Sequence, residues 1–528
     1  MRKHSIRQAI IIIAFSLLGA QARGYCPNPH DPDFTTVWML SGAWCQSGEC
    51  WWGSDEFFSL VWSRHPKFFD SPQSFEETCP PVPGTPMLAE STYIARNLTA
   101  LVTPDVTDAV AGYLYLGGWD STYDAVNGGS PKALGTAANG HLKITGGSLD
   151  LSGCIALHGT GCYERVGYNG STGSVVQTGG THHVENSISL GIGSTCAVAP
   201  GQSWCNPCDG DSTDVCSVGT FDLSGDGEVR VPQLDIGVQG TGTFTMTGGD
   251  VRTYPDNSGS SFVGRTYNYP SPGTSPFAAG IGTLNQSAGY LQQDVEFSVG
   301  SGGGSEGHVT ISGTATFIAR GALFAGGNTN NGAPIGGKAW IVQKENTTVK
   351  VGRHLVLGES ETGEGSYEIR GGSLEQTGVG PFSLHGGTTP AIPMGVYVGM
   401  ARGLYDQIPA SGHGELTVVG KASTIHVKGV YQQATGSRLT AKIEYQYPNV
   451  TPVNVDGVAT FEQGAKVKIE LLDGYTPGPF STFNILSASR IDGTGTIVLE
   501  SPGPYWFLYT TGNPPNQLWA EYAPPGGC

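Results

Sequence analysis

The stretch TFDLSGDGEVRV at residues 220–231 sets oxygen-bearing side chains at alternate positions: Asp222, Ser224 and Asp226, then Gly227 and Glu228. Alternating oxygens closed by a glycine turn suit a hard cation. This spacing predicts a structural calcium ion held by Asp222, Ser224, Asp226 and Glu228. A plain acidic glycine turn is the alternative. The twelfth position is Gln233 where a bidentate carboxylate is needed, although Asp209, Asp211 and Asp214 lie just upstream.

The other chemistry-bearing groups read more blandly. Cys205-Asn-Pro-Cys208, flanked by Cys196 and Cys216, could present four thiolates to zinc, but eleven cysteines in an exported chain favour disulfides. The odd count leaves one cysteine unpaired or bonded to another chain. His182-His183 lacks a third ligand and is expected on the outer surface. Gly412-His413-Gly414 echoes a pectinase motif without its paired aspartates, and glycoside hydrolysis needs two carboxylates across one bond. No G-x-S-x-G elbow is present. No catalytic set is legible, and none is expected.

The elements that would position these groups are repetitive. The chain has 528 residues, 81 glycines, 13% charged residues and a net charge of −17. A basic start, a short apolar run at 9–20 and the small-x-small site Ala20–Ala22 read as a secretory signal peptide over 1–22. That run is too short to span a bilayer, and no later transmembrane segment is expected. Scattered Lys and Arg argue against a nucleic-acid partner.

One phrase recurs: HLKITGGSLDL (141–151), SVVQTGGTHHV (174–184), TFTMTGGDV (243–251), TLNQSAGYLQQ (283–293), HVTISGTATF (308–317), SYEIRGGSLEQ (366–376) and ELTVVGKASTI (415–425). Apolar residues alternate before the glycine, as in Phe244/Met246 and Val309/Ile311, the mark of a strand with one buried face. A companion phrase ends on glycine: LYLG (114–117), LDIG (234–237), FSVG (297–300), LVLG (355–358) and VYVG (396–399). Strand, corner, strand, corner over about 25 residues is how a parallel β-helix is written. Longer gaps imply two coils or an inserted loop. Gln177 and Gln286 replace the second apolar residue, and stacked amides are expected to bond one another in a ladder.

These phrases resemble the autotransporter-associated β-strand repeats of passenger-like secreted bacterial proteins. VWMLSGAWCQSGECWW (37–52), then LYLGG (114–118) and HLKITGGSL (141–149), follow that family's order, and residues 453–489 look like its end module. The resemblance implies an all-β, right-handed parallel β-helix with an N-terminal Trp/Cys-rich cap and a C-terminal β module, without a translocator barrel. The expected divisions are a cap at 23–110, coils at 111–428 with a Cys-rich insert near 194–230, and the end module at 429–528. Half of the ten tryptophans lie between Trp38 and Trp62, where the family's cap sits. The resemblance speaks to architecture and is nearly silent on activity; the long repetitive lateral surface suits many weak contacts, and the expected role is a non-enzymatic extracellular scaffold or adhesin whose partners are surface or matrix components, polysaccharide among them. The rival is a carbohydrate-active β-helix: a polysaccharide lyase, hydrolase or lectin.

Overall fold

The computed structural model describes residues 35–38, 42–43, 91–94, 98–104, 109–110, 113–117, 139–152, 161–168, 170–192, 217–254, 260–266, 279–327, 336–359, 362–378, 393–399, 413–420, 423–444, 452–472 and 474–524. Among them the elements are strands and one 3-10 turn, Thr494–Thr496. None of the described helical segments is long and apolar enough to cross a membrane.

Fourteen strands form one long parallel sheet, from Thr35–Trp38 at one end to Arg490–Asp492 at the other. The remaining strands complete each turn around the interior, and strand Thr241–Arg252 shows how. Residues 241–246 pair with 281–286, the register shifts at the glycines, and 250–252 pair with 290–292. Phe244 therefore sits on a rung between Phe221 and Leu284. The alternating apolar residues point inward as expected: Phe244, Met246 and Val251 are fully buried in one continuous core with Leu234 and Ile236. The result is an all-β solenoid of parallel strands, each coil covering the next one's apolar interior.

The long gaps in the repeat are insertions within single coils. Tyr367 pairs directly with Leu416, and Val175 with Phe221, so no second coil fits between them. In chain order, residues 118–138, 193–216, 267–278, 328–335 and 400–412, outside the described residues, each come between a strand of the long sheet and the first strand of the next coil. The other connections are mostly short.

The corner between those strands is shaped by two columns of glycine. The last residue of each companion phrase has positive φ, as at Gly237 (72°), Gly264 (74°) and Gly300 (65°). A Cβ there would meet the backbone of the next coil: on Gly237 it would lie 2.0 Å from the Ile281 carbonyl. The second column is the second residue of each new coil. A Cβ on Gly242 would lie 2.1 Å from the Gly237 amide nitrogen, and one on Gly282 2.2 Å from that of Gly264. Backbone packs on backbone there, so glycine is required by contact as well as by conformation. Ala339 interrupts the run of glycines in its column, between Gly307 and Gly365.

Parallel pairing already joins residues 91–94 to 113–116 and continues to Val498–Glu500. Among the described residues, Ser481–Ser487, Trp506–Thr511 and Gln517–Tyr522 pair in antiparallel fashion at the C-terminal end.

Candidate functional site

The turn predicted to hold calcium lies at a corner of the coil. Asp222 projects outward from strand Val218–Leu223 and is exposed, between Val176 and Thr245 on neighbouring rungs. Ser224 is half-buried, and its amide donates to the Gln177 carbonyl (2.9 Å). Asp226 is exposed and leans over the preceding coil, its Oδ1 3.0 Å from where a Cβ on Gly179 would sit. Glu228 opens the next strand and is held by the Arg230 guanidinium. The left-handed residue is Gly225 (φ 62°), not Gly227. The chain therefore bends earlier than the D-x-[DNS]-x-D-G spacing requires. No group of three or more His, Cys, Asp or Glu among the described residues could hold a metal ion. Asp209, Asp211, Asp214 and the CxxC pair lie outside them.

One of the two histidine readings changes. His413 opens strand His413–Val419 and is exposed, while Gly414 belongs to the glycine column, 2.2 Å from the Gly399 nitrogen if given a Cβ. The G-H-G sequence reports that packing. His182 and His183 are not both on the surface. His183 faces out, bonded to Asp150 (2.9 Å) and the Tyr254 hydroxyl (2.9 Å). His182 faces in, fully buried, with its Nε2 3.1 Å from Glu164 Oε2. Alternation forces one of any adjacent pair inward, and the short repeat phrase alone does not say which.

The amide ladder is also corrected. Gln177 and Gln286 do point inward, but their neighbours on the rungs are Ile144 and Leu223, and Met246 and Ile311. No amide stacks on another there. Instead Gln177 Nε2 donates to the Gly180 carbonyl (3.0 Å) and, in the next coil, to the Glu228 carbonyl (3.2 Å). Gln286 does the same with Gly289 (3.2 Å) and Thr316 (3.0 Å), and Gln343 with Thr347 (3.3 Å) and Ser373 (2.9 Å). Each amide staples two successive corners. Cys162, fully buried, is the one cysteine among the described residues, and it is disulfide-bonded.

The unusual chemistry lies on the outer side of the long sheet. In its middle, the outward residues are buried as deeply as the inward ones: Phe324, Val356 and Tyr397 form a second apolar cluster with Ala322. The outer side of the same sheet also carries Asp235 (2% exposed), Glu296 (1%) and His354 (6%). Burial pushes the Asp235 carboxyl up to about 6 despite the nearby Arg265 charge, and Gln233 Nε2 bonds its Oδ2 (2.6 Å). Burial, with Arg353 beside it, pushes His354 down to about 4. Glu296 accepts from Ser260 Oγ (3.2 Å). The Arg265 guanidinium lies 3.8 Å over the Phe262 ring.

Perturbed groups in one region are a functional signal, although buried structural networks produce the same shifts. Asp235 and Glu296 stand two strands apart and two residues out of line, since the rung through Asp235 and Phe262 meets Ser298, which puts their Cα atoms about 12 Å apart at ordinary strand spacing. Both are buried, and Asp235 stands beside Phe262, itself 3% exposed, so the two carboxyls do not face one open groove.

The sign of the pH dependence follows. The raised Asp235 value means that folding favours its protonated form. Its penalty is absent below about 4 and complete above about 6, so stability falls as pH rises through that window. His354 acts oppositely, losing stability as pH drops from 6.5 towards 4. Asp235→Asn keeps the shape and removes the charge. It should stabilise the fold by about 2–3 kcal/mol at pH 7.5 and leave it nearly unchanged at pH 4. Urea unfolding of both proteins at the two pH values checks this, and an equal difference at both would refute it.

No protein family, curated protein or solved structure matches this chain.

The two remaining lateral faces are polar and regular. On one, Thr220, Thr243 and Thr283 follow each other on successive rungs, with Thr245, Asn285 and Thr310 in the next column. On the other, Glu228 and Asp250 stand beside Arg230 and Arg252, with Arg252 bonded to Asp250 (2.8 Å). Towards the C-terminus inter-coil ion pairs take over: Lys442 bridges Glu368 and Glu470 at 3.7 Å each, and Arg438 bonds Glu500 (2.9 Å).

Proposed function

We propose that this chain is a secreted, non-enzymatic scaffold or adhesion protein of the autotransporter-passenger type, wound right-handed and capped at its Trp-rich N-terminal end. The observation that carries the reading is the lateral surface. Rung after rung repeats small hydroxyl and amide side chains, which suits many weak contacts along an extended partner such as a polysaccharide or matrix polymer. Right-handed winding is what parallel crossover connections overwhelmingly adopt. The one carboxyl whose proton affinity is raised, Asp235, which an enzyme would bring to an open groove, is here buried.

The test is incubation of the purified secreted chain with immobilised acidic and neutral polysaccharides. Retention without release of reducing or unsaturated ends is expected; release of either moves the protein to the carbohydrate-active class. Calcium belongs to this proposal as a structural pin at Asp222, Ser224, Asp226 and Glu228. In a second arm of the same experiment, cleavage by protease near Asp222 should be slower with calcium than with chelator. Equal cleavage removes the ion from the reading.

A further inference from the structure

The C-terminal end of the solenoid carries surface unlike its flanks. Of the large apolar side chains exposed among the described residues, all but Val176 lie there: Phe480 (51% exposed), Val498 (45%), Tyr505 (39%) and Phe507 (53%). Among the described residues, two strands here besides the charged Arg490–Asp492 pair with one neighbouring strand only. Val498–Glu500 pairs with Lys466–Leu471, and its Glu500 is tied to Lys466 (3.0 Å) and Arg438, so that edge is charged. Trp506–Thr511 pairs with Gln517–Tyr522, and its sequence, WFLYTT, has no charge and no proline. The devices that keep an edge strand from pairing with another chain are therefore present on the first and missing from the second.

The direction of the free groups follows from the ladder. The Ala523 amide donates to the Tyr505 carbonyl (2.9 Å), and antiparallel pairing alternates residue by residue. The N–H and C=O of Trp506, Leu508 and Thr510 therefore point away from Gln517–Tyr522. The side chains of Phe507 and Tyr509 stand on the outer side, opposite Glu521 and Trp519.

We propose that strand Trp506–Thr511 is the docking edge for a second copy of this chain, paired antiparallel about a two-fold axis through Leu508. That arrangement is self-complementary, as a two-fold interface must be. Leu508 exchanges two backbone hydrogen bonds with its own counterpart, and Trp506 pairs with Thr510 of the second copy. Phe507 then faces the second copy's Tyr509 across the strands, an aromatic cross-strand pair of the stabilising kind. The uncharged strand suits a copy of itself. A strongly basic or acidic partner would find no complementary charge on it. The net charge of −17 opposes association at long range, and salt screens that repulsion. The dimer is expected to strengthen as salt rises. The inference is independent of what the lateral faces bind.

The experiment is light scattering of the full secreted chain across a concentration series into the tens of micromolar, at physiological salt. A dimer is expected. Phe507→Lys places a charge on the exposed outer side, and Thr510→Pro removes an outward N–H without touching the bonds to Gln517–Tyr522. Each should raise the dimer Kd at least about tenfold, with the circular dichroism and melting of the wild type. A chain that stays monomeric throughout the series overturns the proposal. So do well-folded variants that dimerise as the wild type does.

Discussion

Glu164→Leu should weaken the N-terminal coils by about 3–5 kcal/mol, whereas Glu164→Leu combined with His182→Leu should restore most of that loss. Glu164 lies on a rung between Leu114 and Ile188, and His182 between Leu149 and Val229. Both are wholly inside, with Nε2 and Oε2 3.1 Å apart, at an angle that makes no hydrogen bond. The Phe221 ring stacks on the imidazole at 6.0 Å. A buried pair of this kind barely repays its own desolvation, so removing one member strands the other in an apolar cavity. Replacing both with aliphatic groups asks nothing of the core. Because each coil contacts only its neighbours, the effect should be local. Hydrogen exchange of strands Gly140–Leu151 and Thr172–Val184 is the suitable readout. Unchanged protection in Glu164→Leu would show that the pair is not stabilising. A double variant no better than the single would show that the pair contributes more than charge balance.

Gly242→Val should cost about 3 kcal/mol or more, and Thr243→Val next to it almost nothing. The first places a branched side chain where a single Cβ already falls 2.1 Å from the Gly237 nitrogen and 2.8 Å from the Leu190 carbonyl. Both obstacles are backbone, so no rotamer relieves them. Thr243 points outward and its replacement meets solvent. Ala339 marks how far the column can give: one methyl is accommodated, at a rung entered through the 328–335 insertion. Chemical unfolding of both variants decides the point. A Gly242→Val protein as stable as Thr243→Val would mean that the corners are not in contact.

The fold was largely readable because its two signals are local. Alternation in TFTMT marks the buried face, and the glycines of LDIG and GTGTF mark the corner where coils touch. Both recur often enough to separate signal from chance. What remained hidden depends on which way a residue faces after a register shift. His182 and His183 follow a glycine pair where the pairing slips, so alternation counted from Val175 does not carry through to them. The amides were read correctly as inward, yet their partners are carbonyls of the next coil's corner, which no repeat phrase encodes. Asp235 and Glu296 gave no signal, because the repeats say nothing of a second apolar layer outside the long sheet. In the acidic turn the sequence pattern did not say which glycine takes the left-handed conformation: it is Gly225, one residue before Asp226.

The corner that receives the insertions joins two demands that usually conflict. Its paired glycines hold neighbouring turns at a fixed pitch, and the chain between them is free to run a few residues or two dozen before it resumes. Pitch belongs to the interior and reach to the side. A lineage built on this plan can rewrite what it displays without altering the axle on which the display is mounted.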